Sequence, residues 1–391
     1  MPPPPPLTLT WVGSATAIPS TLWQRCFPPP LEGAWWYTTL EESDLGDQFT
    51  FLYAVIRRHD TPIAIAPAFL MDLPISLVVP PALLPLLNLL GKAWPTLLHQ
   101  RTLFVGSPCA DAGHVGILPE EDPLPILHLL QQELLRRMHV LHAAMLVWKD
   151  FPAAFDAPLT SMLSTHGLFR VTSFPGTCVT LPGPDKQAYL AALSGMRRHN
   201  LRKKLRKSSA AVALDIQVLK NPDASQLDAI TALFTQTYNK AKTRFERLDR
   251  PFFARIAREP QAYFVTLHAS TSKEMVAFML CFDGGDLLIN KFIGIDYRRP
   301  RDWFLYFRLW DAVVDWALSR GMRAIQSGQT GYTAKIRLGH ALIPLTNYAR
   351  HRNPLMHHIY AWVGRTVSWA TLDAELTIEE KRRGKGEEEE G

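Results

Sequence analysis

Two apolar hairpins, one in each half of the chain, constrain the fold more than any other feature. The first pairs FTFLYAVIRR (Phe49–Arg58) with PIAIAPAFL (Pro62–Leu70) across a His-Asp-Thr turn. The second pairs Met275–Phe282 with Leu287–Ile293 across the Gly-Gly-Asp turn at 284–286. Length, β-branched content and turn residues all read as strand pairs. Each hairpin is followed by a helix with its apolar residues on one face, Leu124–Met138 in the first half and Trp303–Arg320, closed by Gly321, in the second. Further strands are expected at Phe169–Leu181, Val212–Leu219, Tyr263–His268 and in RAIQSG (323–328), and further helices at Pro184–Ser209 and Ala224–Lys242. A chain of 391 residues, at roughly 150 per domain, accommodates two such units. The repeated order predicts a duplicated α/β unit, with mixed central sheets flanked by helices, rather than a doubly wound dinucleotide fold.

Several classes are excluded. Cys26, Cys109, Cys178 and Cys281 lie far apart with no Cys-x-x-Cys pair, so they define neither a disulfide framework nor a zinc ribbon, and a reducing cytoplasm fits them. No basic and apolar leader precedes the first strand. The apolar run from Ile63 to Leu90 is interrupted by Pro67, Pro74, Pro80, Pro81, Pro85 and Asp72, so a spanning helix is not expected; a buried strand followed by a proline-rich loop or short helix is, with 73–90 as a peripheral membrane contact the other reading. The expected organisation is a proline-rich tail at 1–6, a first unit at 7–165, a second at 166–372 and a charged tail at 373–391.

Two segments carry functional information. MRRHNLRKKLRKS (Met196–Ser208) holds seven Lys and Arg and no acid, on a helix whose Leu190, Leu193, Leu201 and Leu205 pack inward. Such density is self-repelling unless an anion is near, which points to Arg197, Arg198, Lys203 and Lys204 as ligands of a phosphate-bearing substrate or RNA; a merely solvated face is the other reading. The second segment, QSGQTGYTAKIRLG (Gln326–Gly339), places small residues after a strand and then presents Gln329, Tyr332, Lys335 and Arg337. It lacks phosphate-loop spacing, and no nucleophile elbow or paired metal ligands occur, so no metal is expected. His351, His357 and His358 read as surface or core histidines because no carboxylate or cysteine completes a ligand set. Lys291 interrupts the apolar strand LLINKFIGID and reads either as a lysine at a sheet end or as a cation facing a cleft and binding substrate.

These pieces together, from GLFRVTSFPGTCVTLP through the basic helix and DGGDLLINKFIGIDYR to FLYFRLWDAVVDWALSRGMRAIQSGQTGYTAKIRLG, resemble the Fem-like transferases and N-acyltransferases of the GNAT superfamily over about Gly167 to Trp362. The resemblance implies tandem GNAT-like domains, the first degenerate, and transfer of an acyl or aminoacyl group from a thioester or charged tRNA to an amine. It carries the family pattern Y-x-x-K-x-x-[FL]-G onto Tyr332, Lys335, Leu338 and Gly339, with Lys335 stabilising the oxyanion and Tyr332 orienting or protonating the leaving group. Two departures stand out. The GNAT pyrophosphate loop is replaced by YRRPRDWF, where Arg298, Arg299 and Arg301 are the available phosphate ligands for acyl-CoA, and no helical-hairpin insertion of the tRNA-dependent cell-wall kind is visible. The expectation is an acyl-CoA-dependent N-acyltransferase, cytoplasmic or peripheral to the inner membrane. The alternatives are a tRNA-dependent aminoacyl transferase or a non-catalytic RNA- or envelope-associated protein using 196–208. Asp283 and Asp296 are the carboxylates flanking the second hairpin as base candidates, and the sequence leaves the oligomeric state open.

Proline placement in the 63–90 run yields a first test. Expressed without detergent, the protein is expected in the soluble fraction after a high-salt wash; recovery in detergent alone would reverse the reading.

Overall fold

The computed structural model describes residues 6–74, 99–241 and 246–377, with 85, 89, 91 and 92 besides. Apart from Pro85 and Leu89, the part of the expected membrane contact beyond Pro74 lies outside the described residues, as does the charged tail beyond 377. In chain order the first elements are β1 (Leu7–Val12), α1 (Ser20–Cys26), α2 (Ala34–Glu42), β2 (Thr50–Arg58), β3 (Thr61–Pro74), β4 (His99–Val105) and β5 (Gly116–Ile117). Then follow α3 (Pro123–Val140), β6 (Met145–Pro152), α4 (Asp156–Thr165), β7 (Phe169–Thr172), β8 (Gly176–Thr180), α5 (Lys186–Ala192), α6 (Gly195–Ala211), β9 (Leu214–Leu219), α7 (Ala224–Lys240) and α8 (Arg250–Ile256). The chain continues with β10 (Ala262–Ala269), β11 (Met275–Asp283), β12 (Leu287–Ile295), α9 (Leu305–Ser319), β13 (Ala324–Ser327), α10 (Tyr332–Arg337), β14 (Ala341–Ile343), β15 (Leu345–His351), α11 (Pro354–Gly364) and α12 (Trp369–Leu372).

Local chemistry accounts for the main helices. Asp122 accepts the Leu124 amide and Pro123 opens α3, which buries Ile126, Leu127, Leu130, Leu134 and Met138 on one side. Asp223 and Gln226 form a capping box on α7. The long helix expected at Pro184–Ser209 is broken in two, because Leu193 is extended and Ser194 caps α6 by accepting the Arg197 amide.

The strands form two mixed sheets of the same design. The first runs β1-β2-β3-β4-β6-β15-β7, with β5 beside β3, and the second β9-β10-β11-β12-β13-β8-β14. Each has four antiparallel strands, then one parallel pair, β4 with β6 and β12 with β13, bridged by a crossover helix. Duplication of an α/β unit is therefore realised in the fold.

The sheets do not follow the boundary expected at 165/166. The segment read as one strand, Phe169–Leu181, is two strands in different sheets: β7 completes the first and, after Ser173–Pro175, β8 enters the second. The return crossing is Pro344, between β14 in the second sheet and β15 in the first. Proline suits both points because it has no amide to leave unpaired where a ladder stops. The crossings touch, for the Ser173 amide donates to the Leu345 carbonyl at 3.1 Å. An apolar cluster also spans the halves, with Trp36 and Phe282 edge to face at 5.9 Å.

Tyr348 sits fully buried on β15 and donates to Asp156 at 2.7 Å. Tyr348→Ala should cost about 3–5 kcal/mol and lower one cooperative urea transition. Two separated transitions would mean that the halves fold independently.

Candidate active site

Both parallel ladders end at the junction of the halves. β12 and β13 pair from Leu287 opposite Ala324 to Asn290 opposite Ser327, and β4 and β6 from Thr102 opposite Met145 to Val105 opposite Trp148. Lys291 follows the last pair in the second sheet, and Lys149 in the first. Between them enters a loop carrying Asp111, whose path needs Gly113: a Cβ there would overlap the Lys149 carbonyl, and the Gly113 amide donates to Asp150 O at 2.7 Å.

Lys291 is buried, its side chain 1% exposed. Its ammonium pairs with Glu32, lies 3.5 Å from Asp111, and stands 4.9 Å from the centre of the Trp36 ring. Burial alone would lower its pKa, but Asp111 and Glu32 outweigh that and hold it charged, above the usual lysine value. Asp111 also accepts from Gln326 Nε2 at 3.2 Å, and its Oδ1 lies against Gly328. It thereby joins the loop after β13 to the first half.

Lys335 projects from α10 into the same junction and is buried. Thr330 and Gly331 both take left-handed backbone conformations (φ 69° and 64°), which turns the loop back and aims its carbonyls at the lysine. The Lys335 ammonium donates to Gly328 O and, at 3.5 Å, to Gln329 O. An ammonium has three donors, so one N–H stays available for a substrate oxygen. Burial lowers this pKa to about 8, with Asp111 opposing.

A neutral polar network supports the loop from beneath. His340 donates through Nδ1 to Lys335 O at 3.0 Å and accepts at Nε2 from Ser327 Oγ at 3.2 Å; burial lowers its pKa to about 3, so it is the neutral tautomer that bridges. Asn290 donates to Ser327 Oγ at 3.2 Å and Thr177 to Ser327 O at 2.8 Å. On the facing side Asp150, at a left-handed φ of 59°, pairs with Lys149, accepts from Ser173 Oγ and donates its amide to Asn347 Oδ1 at 2.7 Å. Half-buried Glu246 feels Lys149 and Lys291, yet burial raises its carboxyl to about 7. The Cys109 and Cys178 thiols are raised by burial and are poor thiolate nucleophiles.

Several expected site residues have other partners. Tyr332 is fully buried, donates to Pro175 O at 2.9 Å and packs with Trp369 and Leu376, so its hydroxyl proton is committed to a backbone carbonyl; burial also raises its pKa. Lys291 is matched by carboxylates rather than free for substrate. Arg298 is bidentate to Asp296, and Arg299 bridges Asp296 and Glu274, while Arg301 is exposed in the turn before α9. Arg298 and Arg299 hold Asp296 below the usual carboxylate range, which makes it a poor base, and Asp283 is paired with Arg320 at 2.7 Å. On α6, Arg198 donates to the carbonyls of Leu190, Ala191 and Leu193 and so closes α5, and Lys204 stands 3.6 Å over the Phe307 ring. Arg197 is half-buried and Lys203 exposed; exposed Arg337 lowers the Lys204 pKa from nearby, after burial. Gln329 donates to Phe174 O at 3.1 Å and braces the loop. Sequence reasoning missed Glu32, Asp111, Lys149, Asp150, Glu246 and His340. CADAGHV (109–115), a small-residue loop around one acid, was the only local signal.

Residues 184–372 match the FemAB-like family, described as peptidoglycan biosynthesis/recognition, while no curated protein matches the sequence. Among solved structures the chain is similar to FemX (8% identity, 90% of this chain and 100% of that one, TM-score 0.57). It is also similar to a tandem GNAT protein from the clavulanic acid biosynthesis pathway (10%, 89% and 99%, 0.53) and to L-PGS from Bacillus licheniformis (12%, 83% and 94%, 0.51). At these identities the likeness is one of fold. The chain thus has the fold of the tandem GNAT proteins over nearly its whole length, and a FemAB-like sequence match over residues 184–372.

Proposed function

We propose that the chain transfers an acyl or aminoacyl group from an activated donor to an amine by direct attack. The observation that carries this reading is Lys335: a buried ammonium with two backbone carbonyl partners, a spare donor, and a position in the region matching the FemAB-like family. The amine nitrogen bonds to the acyl carbon, the carbonyl electrons move onto oxygen, and the Lys335 N–H receives that charge. Collapse restores the carbonyl and expels the donor's sulfur or oxygen, which leaves with the proton given up by the amine nitrogen. No nucleophilic side chain is required. Tyr332 is left out of the mechanism, since its hydroxyl is committed to Pro175.

For the donor, one observation favours an aminoacyl ester of tRNA over acyl-CoA. Arg298 and Arg299, the phosphate ligands that acyl-CoA would need, are already paired with Asp296 and Glu274. The exposed Arg202, Lys203, Arg206 and Lys207 of α6 instead offer an extended anionic partner a row of cations. Acyl-CoA remains the thioester alternative, and Arg301 its open cation. Assay with each donor class separates the two. A non-catalytic binder would keep salt-sensitive nucleic-acid binding after loss of Lys335 and show no transfer.

Lys335→Met should reduce kcat by roughly a hundredfold or more with donor binding little changed; a folded variant of near-wild-type kcat removes the role. Because the ammonium form is required, its contribution to kcat should be present below about pH 8 and decline as pH rises through that value. A Lys335-dependent rate that instead rises there would make the lysine a base.

A further inference from the structure

Helix α11 presents a face that the acyl-transfer reading does not use. Its inner side is fixed: Tyr360 accepts from Gln100 at 2.7 Å and stacks on His351, His357 meets Phe169 edge on, and Gly364 lies tight against Val171. Leu355, Ile359 and Trp362 point the other way and are 65%, 45% and 65% exposed. Spaced i, i+4 and i+7, they form one stripe about a helical turn wide. Exposed Arg352 and Arg365 flank the helix at its two ends, and exposed His358 lies beside the stripe. From Leu345 to Leu372 the sequence contains no Asp or Glu.

Exposed single apolar residues need no explanation, but an aligned stripe ending in tryptophan, framed by cations and free of acids, does. We infer that α11 is a docking face for an anionic lipid bilayer, with Leu355, Ile359 and Trp362 entering the acyl boundary and Arg352 and Arg365 at the headgroups. Arginine suits that place because its apolar stem can lie in the interface while the guanidinium meets phosphate. A second copy of the chain fits less well: antiparallel pairing of two such helices would bring Arg352 beside the other copy's Arg365 with no carboxylate on the helix between them. The inference stands apart from the transfer reaction, and either can fail alone.

The test uses full-length protein and sedimentation with vesicles of phosphatidylcholine alone or mixed with phosphatidylglycerol. Wild-type protein should bind the mixed vesicles, less so as salt rises. Leu355→Ser/Ile359→Ser/Trp362→Ser should weaken binding more than tenfold, and Arg352→Gln/Arg365→Gln by roughly thirtyfold on anionic vesicles. Should the triple variant lose its helical signal, the arginine pair still decides. No wild-type binding to mixed vesicles, or binding by both variants equal to that of the wild type, overturns the proposal. So does a dimer that the triple variant dissociates without any vesicle binding.

Discussion

A lysine ammonium in the interior is tolerated only with compensation, and Lys291 obtains it from the opposite half of the protein. Glu32 and Asp111 belong to the first half, and β12 to the second. Removing one member of such a buried set typically costs about 3–5 kcal/mol, because the remaining charge is stranded. The set therefore holds the Asp111 loop against the turn after β13. That turn aims Gly328 O and Gln329 O at Lys335.

The same residue type behaves oppositely at two neighbouring positions. Lys291 is ion-paired and its pKa is raised; Lys335 is surrounded mainly by backbone carbonyls, and burial dominates to bring it to about 8. One lysine is thereby a fixed charge and the other a cation with unspent interaction capacity. A developing oxyanion would complete the environment of the second and disturb that of the first.

Strand exchange explains why the site can lie between the halves without loosening them. With β7 and β15 in the first sheet and β8 and β14 in the second, two covalent crossings meet at Ser173 and Leu345. Asp150 ties both down, through Ser173 and Asn347, from a strand end whose backbone sits in an unfavourable left-handed conformation. Arg198 and Gln329 act in the same sense, since each spends its donors on backbone carbonyls that shape the site's surroundings.

Apolar runs, turn residues and helix caps are local, so the sequence by itself determined the two hairpins, α3, α7, α9 and the duplicated α/β plan. Lys335 was legible for a similar reason: its motif is contiguous, and the small residues before it announce a tight turn. Sheet membership was not legible, because Phe169–Leu181 has strand character throughout and nothing in its pattern marks a change of sheet at Ser173. Nor was the partner of a charge, which depends on what arrives from elsewhere in the chain. Lys291 met carboxylates 259 positions away at Glu32 and 180 away at Asp111, and so became an anchor. Tyr332 met the Pro175 carbonyl, which takes its hydroxyl proton, and Arg298 and Arg299 met Asp296 and Glu274. Only the tertiary structure decided these, since a charge or hydroxyl takes its role from the groups that burial brings within a few ångströms of it.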